Sequence, residues 1–249
     1  MNAPLVTLDN VTLGYERHPA VHHLGGAIER GAMLAVVGPN GGGKSTLIAG
    51  LAGQMRPMQG SVDLHGLARR GIAVMPQRTM VHEDFPISVL EVVTSGLWRR
   101  IGPWGRIGSD LRARIDVALA RVHLAGFERR AVATLSRGQL QRVLFARMLL
   151  QDAPLVLLDE PFTAVDSATT HHMLRLIHEI NEAGTTVVAV LHDLDQVRSH
   201  FSQTLLLARH AIAWGPTGEV LGRDNLEAAQ RLSEAWDEDA ARCLWEDAA

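Results

Sequence analysis

The stretch GPNGGGKST, residues 38–46, decides the fold of this chain. It fits the pattern G-x-x-x-x-G-K-[ST], follows the apolar run MLAVVG at 33–38 and opens the helix-forming run TLIAGLAGQM at 46–55. Glycines here let backbone N–H groups turn toward phosphate oxygens, and a following helix adds the positive end of its dipole. The stretch therefore predicts a phosphate-binding loop between a buried strand and a helix.

Lys44 is the only lysine among the 24 basic residues of the chain. A compact ammonium on a flexible stem fits inside such a loop against the β- and γ-phosphates of a nucleotide, whereas the planar guanidinium of arginine is too wide. The hydroxyl of Ser45 is of the type that binds Mg²⁺ in these loops. The candidate nucleotide ligands in the loop are Gly38, Asn40, Gly41, Gly42, Gly43, Lys44, Ser45 and Thr46.

Bulk properties limit the class of protein. A chain of 249 residues allows one large α/β domain or two small ones. No apolar run approaches the ~20 residues that cross a bilayer, and the first ten residues lack a signal-peptide pattern, so we expect a cytosolic chain whose membrane role comes through a partner. The single cysteine, Cys243, excludes an internal disulfide and a cysteine metal cluster. Basic–aromatic repeats that would indicate nucleic-acid binding are absent.

Charge is unevenly spread along the chain. Residues 99–130 hold eight arginines and three acids, a net charge of +5, whereas residues 227–249 hold seven acids and two arginines, a net charge of −5. The basic stretch fits a solvated helical face, or a surface that lies near anionic lipid head groups. The twelve histidines fit ordinary surface positions better than metal ligands, since the adjacent pair His171 and His172 points in different directions on a helix.

Apolar patterning places the phosphate loop in an α/β chain. Residues 5–15 alternate as a half-buried strand, while 154–160 and 185–193 are continuous apolar runs typical of strands in a parallel sheet. Further predicted elements are strands at 60–66 and 71–77, a strand pair at 204–215, helices between 88 and 151 with a break at 99–108, a helix at 167–184, and a helical tail. Strands joined by helices indicate an α/β fold.

Two further motifs carry candidate chemistry. The strand LVLLDE ends on Asp159 and Glu160; with a phosphate loop in the same chain, one carboxylate can hold Mg²⁺ and the other can deprotonate an attacking water. Alone, the same pair is as typical of a solvated turn. In LSRGQ, Ser136 precedes Gln139 by three residues, which predicts a capping box at the start of a helix. A helix start binds anions, although an ordinary capped helix has the same pattern.

The order of these motifs resembles that of the ATP-binding subunit of ABC transporters. GPNGGGKST, VMPQR, LSRGQ, LVLLDEP, TAVD and LHD follow one another within residues 4–225. The resemblance implies a P-loop NTPase of ABC type, with a mostly parallel sheet core, an N-terminal antiparallel β part and a helical subdomain at about 87–150 inserted in a domain of residues 1–225. Residues 226–249 would form an acidic, helical tail.

The resemblance also assigns roles. Tyr15 matches the aromatic residue that stacks on adenine, and Gln77 matches the residue that links Mg²⁺ and the water to the membrane partner. Ser136, Gly138 and Gln139 match the signature that contacts the γ-phosphate of the opposite subunit. Asp166 matches the loop that crosses the dimer, and His192 matches the switch histidine at the γ-phosphate. Taken alone, a tyrosine or a histidine is more often structural. Magnesium would be held by Ser45, Gln77 and Asp159.

The implied partners are a membrane permease, contacted through about residues 77–105, and a second copy of the chain, joined head to tail by ATP. An extracytoplasmic substrate-binding protein would belong to the same system, and the chain would lie on the cytoplasmic side of the inner membrane. Arg137 departs from the family, which usually has glycine there; it could point away from the interface or touch a neighbouring chain.

The cargo is predicted less specifically than the ATPase. The sequence at 83–100 and 205–221 is similar to that of ATP-binding subunits of zinc and manganese uptake systems. We therefore expect zinc as the first candidate cargo and manganese as the second. Siderophore and cobalamin importers use related cassettes. A soluble ABC protein outside transport would usually carry two cassettes or a coiled-coil insertion, and a non-hydrolysing module is disfavoured because Lys44, Glu160 and His192 are all present.

Overall fold

The computed structural model describes residues 3–16, 18–76, 87–102 and 108–238, with the side chains of 99–100 and 233–238 left out. The chain divides into two compact units. Unit 1 comprises Met1–Arg69 and Thr186–Ala249, and unit 2 comprises Arg70–Thr185. The predicted domain boundaries at 225 and at 87–150 stay a prediction.

Unit 1 contains two groups of strands. Its elements are β1 (Pro4–Tyr15), β2 (His18–Glu29), β3 (Met33–Val37), α1 (Lys44–Leu51), β4 (Gln59–Asp63), β7 (Thr186–Val190), α7 (Leu194–His200), β8 (Gln203–Ala208), β9 (His210–Pro216), α8 (Thr217–Val220) and α9 (Arg223–Glu238). An antiparallel sheet has the order β2-β1-β4, and β7, β3 and β8 run parallel with β9 antiparallel on the edge. This arrangement confirms the predicted antiparallel N-terminal part.

Unit 2 joins a parallel strand pair to a group of helices. Its elements are β5 (Ile72–Met75), α2 (Val89–Thr94), α3 (Trp98–Ile101), α4 (Ser109–Arg121), α5 (Arg137–Leu149), β6 (Leu155–Asp159) and α6 (Ser167–Glu182). Every residue of β6 is buried, as its continuous apolar run predicts. Both α2 and α5 begin at a complete capping box, on Ser88 and Ser136 respectively.

Several elements differ from the sequence prediction, among them the ends of one strand and one helix. The run 185–193 is a strand only as far as Val190, because Asp193 caps α7 by accepting from the backbone N–H groups of Asp195 and Gln196. The predicted helix at 46–55 begins earlier, at Lys44, and ends at Leu51. Within the described ranges, no helix has the length and apolar character needed to cross a membrane.

Candidate functional site

The phosphate loop lies between a fully buried strand and a helix, as predicted. All five residues of β3 are buried, and α1 begins directly after Gly43. Gly43 has φ 89°, and a Cβ atom there would lie 2.3 Å from the carbonyl oxygen of Ala20 and 2.7 Å from Cγ2 of Val21. A side chain at this position would therefore collide with β2, and an L-residue would be strained as well. The loop requires glycine here for two independent reasons.

Lys44 is folded back onto the loop that precedes it. Its Nζ donates to the carbonyl oxygen of Gly38 at 2.9 Å and to that of Pro39 at 2.7 Å, and the residue is only 6% exposed. The ammonium therefore lies inside the curve of the loop, where a nucleotide phosphate would be bound. Asn40, Gly41 and Ser45 are exposed on the same loop.

A single residue of the β8–β9 hairpin, Arg209, connects β2 to the phosphate loop. The backbone N–H of Arg209 donates to the carbonyl of Gly42 at 3.0 Å, and the carbonyl of Arg209 accepts from the N–H of His22 at 2.8 Å. Beside this residue the rings of His22 and His210 stack with their centroids 4.7 Å apart. Burial, followed by the charge of His210, lowers the pKa of His22, and burial lowers the pKa of His210 as well. The residue that binds the loop, Arg209, thus lies beside a pair of imidazoles whose neutral form is favoured.

His192 and the phosphate loop share a cavity in unit 1. Gly38 and Pro39 line a cavity of about 450 Å³ together with His192, which follows β7. Leu226 and Ala229 of α9 form part of the opposite wall. The structure therefore brings His192 to the start of the phosphate loop, and its contact with a γ-phosphate stays a prediction. Tyr15, at the end of β1, is 59% exposed.

Unit 2 carries the two carboxylates and the signature helix. Asp159 ends β6 and is 6% exposed, and Glu160 follows it half-buried with φ 50°. Ser136 caps α5 by accepting from the N–H of Gln139, whose side chain accepts from the N–H of Ser136 in return. A Cβ atom at Gly138 would lie 2.9 Å from the carbonyl oxygen of Ala164. The start of α5 therefore packs closely against the loop that follows Glu160.

Asp166 and Gln77 complete the predicted set. The side chain of Asp166 caps α6 by accepting from the N–H of Thr169, and this bond lowers the pKa of the carboxyl group. Gln77 lies outside the described residues, as do residues 78–86 and 103–105 of the predicted permease contact. In the ranges that the structure covers, no three His, Cys, Asp or Glu side chains converge as a metal site.

Sequence reasoning missed three residues that support the site, namely Gln141, Thr163 and Arg209. The side chain of Gln141 donates to the carbonyl oxygen of Glu160, and the hydroxyl of Thr163 donates to the Glu160 carboxylate, each at 3.3 Å. One signal for Gln141 was available, since it stands four residues before Phe145 and seven before Met148, the spacing of one buried helix face. A polar residue on such a face requires a partner.

A buried strand that ends in a glycine loop, with a lysine at the start of the next helix, defines a P-loop nucleotide-binding protein. The profile of the ABC transporter family matches residues 21–163, more than half of the chain. The chain therefore belongs to the ABC transporter family, as an ATP-binding subunit.

Curated relatives cover nearly the whole chain. The manganese transport system ATP-binding protein MntB of Bacillus subtilis is 38% identical over 226 residues, which are 89% of this chain and 90% of that protein. The zinc transport system ATP-binding protein TroB of Treponema pallidum is 38% identical over 228 residues, which are 90% of this chain and 86% of that protein.

Solved structures share the fold. A metal-chelate type ABC transporter in an inward-facing conformation aligns with a TM-score of 0.79 and 30% identity, over 92% of this chain and 90% of that one. A dimeric ATP-binding cassette in a post-hydrolysis state, bound to ADP and phosphate, aligns with a TM-score of 0.74 and 27% identity, over 85% of this chain and 98% of that one. These similarities agree with the α/β fold predicted from the sequence.

Proposed function

We propose that this chain hydrolyses ATP to ADP and phosphate in order to power import of a metal ion, with zinc first and manganese second. The observation that carries the proposal is the 38% identity to both a manganese and a zinc transport subunit over about nine-tenths of the chain. The phosphate loop supports the ATPase part, since Lys44 and its glycines have the form that binds nucleotide phosphates.

The residues present fit magnesium as the cofactor. The hydroxyl of Ser45 and the carboxylate of Asp159 are hard oxygen donors, the ligand type that Mg²⁺ prefers, and Gln77 would add a third oxygen. Bound with ATP, Mg²⁺ neutralises charge that develops on the phosphates.

Hydrolysis then needs a general base and groups that bind the negatively charged phosphates. The carboxylate of Glu160 takes a proton from water as the water oxygen bonds to the γ-phosphorus, and the bond to the ADP oxygen breaks. Lys44 and the loop N–H groups bind the β- and γ-phosphates throughout, while His192 contacts the γ-phosphate. Tyr15 stacks on the adenine. Ser136, Gly138, Gln139 and Asp166 act on the nucleotide of the opposite subunit.

The transport role requires partners. We propose that two copies close around two ATP molecules, and that a permease at the inner membrane contacts each copy through about residues 77–105. The chain then lies on the cytoplasmic side of that membrane, and a substrate-binding protein outside the cell membrane delivers the cargo. The dimeric cassette among the solved structures supports the pairing of two copies.

The ATPase test is release of phosphate from MgATP by the purified chain, with Lys44→Arg, which should not bind MgATP tightly, as the control for contaminating enzymes. The cargo test is growth of a strain that lacks the gene and any second zinc importer. We expect poor growth under zinc chelation and rescue by added zinc. Normal growth and normal zinc uptake would exclude zinc as the cargo, and the same measurement with manganese tests the second ion.

A second candidate cargo is a metal chelate such as a siderophore or cobalamin. The observation that favours it is the 30% identity to a metal-chelate type transporter over 92% of this chain. Uptake of a labelled free ion and uptake of its labelled chelate separate the two cargo classes. Each is measured in wild-type cells and in cells that lack the gene, and only one of the two uptakes should depend on the gene.

A further inference from the structure

Gln141 is a buried polar residue within the apolar surface of α5. It is 8% exposed, with the buried residues Val143, Leu144 and Phe145 following on the same helix. Its Nε2 donates to the carbonyl oxygen of Glu160 at 3.3 Å. Because a buried amide costs free energy unless it is hydrogen-bonded, this contact accounts for a glutamine at the position.

The residue that Gln141 contacts has a strained backbone. Glu160 has φ 50°, in the left-handed region that side-chain-bearing residues adopt only where surrounding contacts hold them. The N–H of Thr163 donates to the same carbonyl at 3.3 Å, and the Thr163 hydroxyl donates to Oε2 of Glu160, also at 3.3 Å. The direction of the Glu160 peptide and that of its carboxylate are therefore fixed together, with α5 supplying one of the contacts.

The start of α5 is tied to the same turn at a second point. Gly138 approaches Ala164 closely enough that a Cβ atom would meet its carbonyl oxygen at 2.9 Å. From Ser136 to Gln141 the helix advances by about 7.5 Å, less than two turns. Because one rigid helix end touches the turn at Gly138 and at Gln141, a shift of that end moves the Glu160 peptide.

We propose that Gln141 is a positioning residue for ATP hydrolysis: it holds the Glu160 peptide so that the carboxylate faces the attacking water while α5 is in place. The inference rests on the proposed function, in which the start of α5 binds the nucleotide of the opposite subunit. Glu160 meanwhile acts on the nucleotide of its own chain. Gln141 thereby makes the base of one half-site depend on the occupation of the other.

The test is a double-mutant cycle in the full chain with MgATP. Gln141→Met keeps the length of the side chain and removes the donor, and Leu140→Met is the matched control on the same helix. We expect Gln141→Met to lower kcat by about 10²-fold, the cost of misplacing a reacting group by an ångström, with the Kd for ATP unchanged. Leu140→Met should retain the wild-type kcat. In a Glu160→Gln background, Gln141→Met should cause no further loss, because the group it positions is gone.

A merely structural role gives a different result. It would lower kcat by the same factor in the Glu160→Gln background, or weaken ATP binding, and either result overturns the inference. If Gln141→Met does not fold, Gln141→Glu replaces it in the same double-mutant cycle. This variant keeps the length and polarity of the side chain but places a carboxylate oxygen against the carbonyl oxygen of Glu160. If a folded variant at position 141 has full activity while Glu160→Gln has lost it, the role of Gln141 is overturned but the proposed function is not. A wild-type chain that releases no phosphate overturns the proposed function instead.

Discussion

At the scale of single residues, the site combines a shape requirement with a charge requirement at Lys44. The ammonium is within 2.9 Å of two loop carbonyls and is almost fully buried, so backbone atoms limit the space around it. At such a position the volume of the side chain matters as much as its charge. The other 23 basic residues of the chain are all arginines.

Lys44→Arg should therefore abolish tight MgATP binding while the chain stays folded. The guanidinium keeps the positive charge but is too wide for the curve of the loop. Titration with a fluorescent ATP analogue measures the affinity, and the thermal unfolding midpoint is the control for folding. An arginine variant with an affinity close to wild type would refute the shape argument.

Gly43 and Gly41 allow a matched comparison within the same loop. Both have left-handed φ angles, 89° and 74°, but only Gly43 is crowded, since nothing lies within 4 Å of a Cβ atom at Gly41. Gly41→Ala should cost about 1–2 kcal/mol of unfolding free energy, from backbone strain alone. Gly43→Ala should cost about 1–3 kcal/mol more, because its methyl group overlaps Ala20 and Val21. Urea denaturation measures both, and equal losses would contradict the contribution of the collision.

At the scale of elements, the structure supports the phosphate loop from β2 and from the β8–β9 hairpin. The sequence predicts β3, β6 and the β8–β9 pair because each is an apolar run with clear ends. It does not predict β2, where Gly25, Gly26 and several histidines interrupt the alternation; pairing with β1 makes this segment a strand. Local patterns thus indicate the strands with continuous apolar cores, and tertiary pairing decides the others.

The stacked histidines should make stability depend on pH. In the folded chain the pKa of His22 and of His210 is lowered, first by burial, with His23 and Arg209 adding positive charge nearby. The unfolded chain therefore binds protons more readily, so their contribution to stability is full above a pH of about 6.5 and is lost as the pH falls through the folded pKa values. Urea midpoints across that range should fall more steeply for wild type than for His22→Gln/His210→Gln. Parallel plots of urea midpoint against pH for the two proteins would contradict a contribution from these two histidines.

The candidate site is predicted from the sequence only where its residues are contiguous. Lys44 and Ser136 stand in motifs whose spacing alone indicates phosphate binding and helix capping. Gln141 and Arg209 act through contacts with residues far along the chain, Glu160 and Gly42, and no local pattern encodes such a pair. Sequence therefore identifies the groups that touch ligand better than the groups that hold them in position.

At the scale of the whole molecule, the proposed function gives each chain two half-sites that it would complete only with a second copy. Glu160→Gln should bind ATP, lose about 10²–10⁴-fold in hydrolysis rate and accumulate as an ATP-bound dimer, because the base is lost while Lys44 and Ser45 are untouched. Adding Ser136→Arg should return the protein to a monomer by blocking the start of α5. Size-exclusion chromatography with MgATP measures both. Failure of Glu160→Gln to dimerise, even with the permease present, would exclude the two-chain arrangement.

The solitary, buried lysine also makes the chain an unusual protease substrate. An endoprotease that cuts only after lysine has a single target bond, between Lys44 and Ser45 at the first turn of α1. Cleavage into residues 1–44 and 45–249 can occur only when that turn opens, so the digestion rate measures how often the turn is exposed, whether by local or by global opening. Bound ATP should slow the cut in proportion to its occupancy. The protein therefore carries its own reporter for nucleotide release, which requires no label.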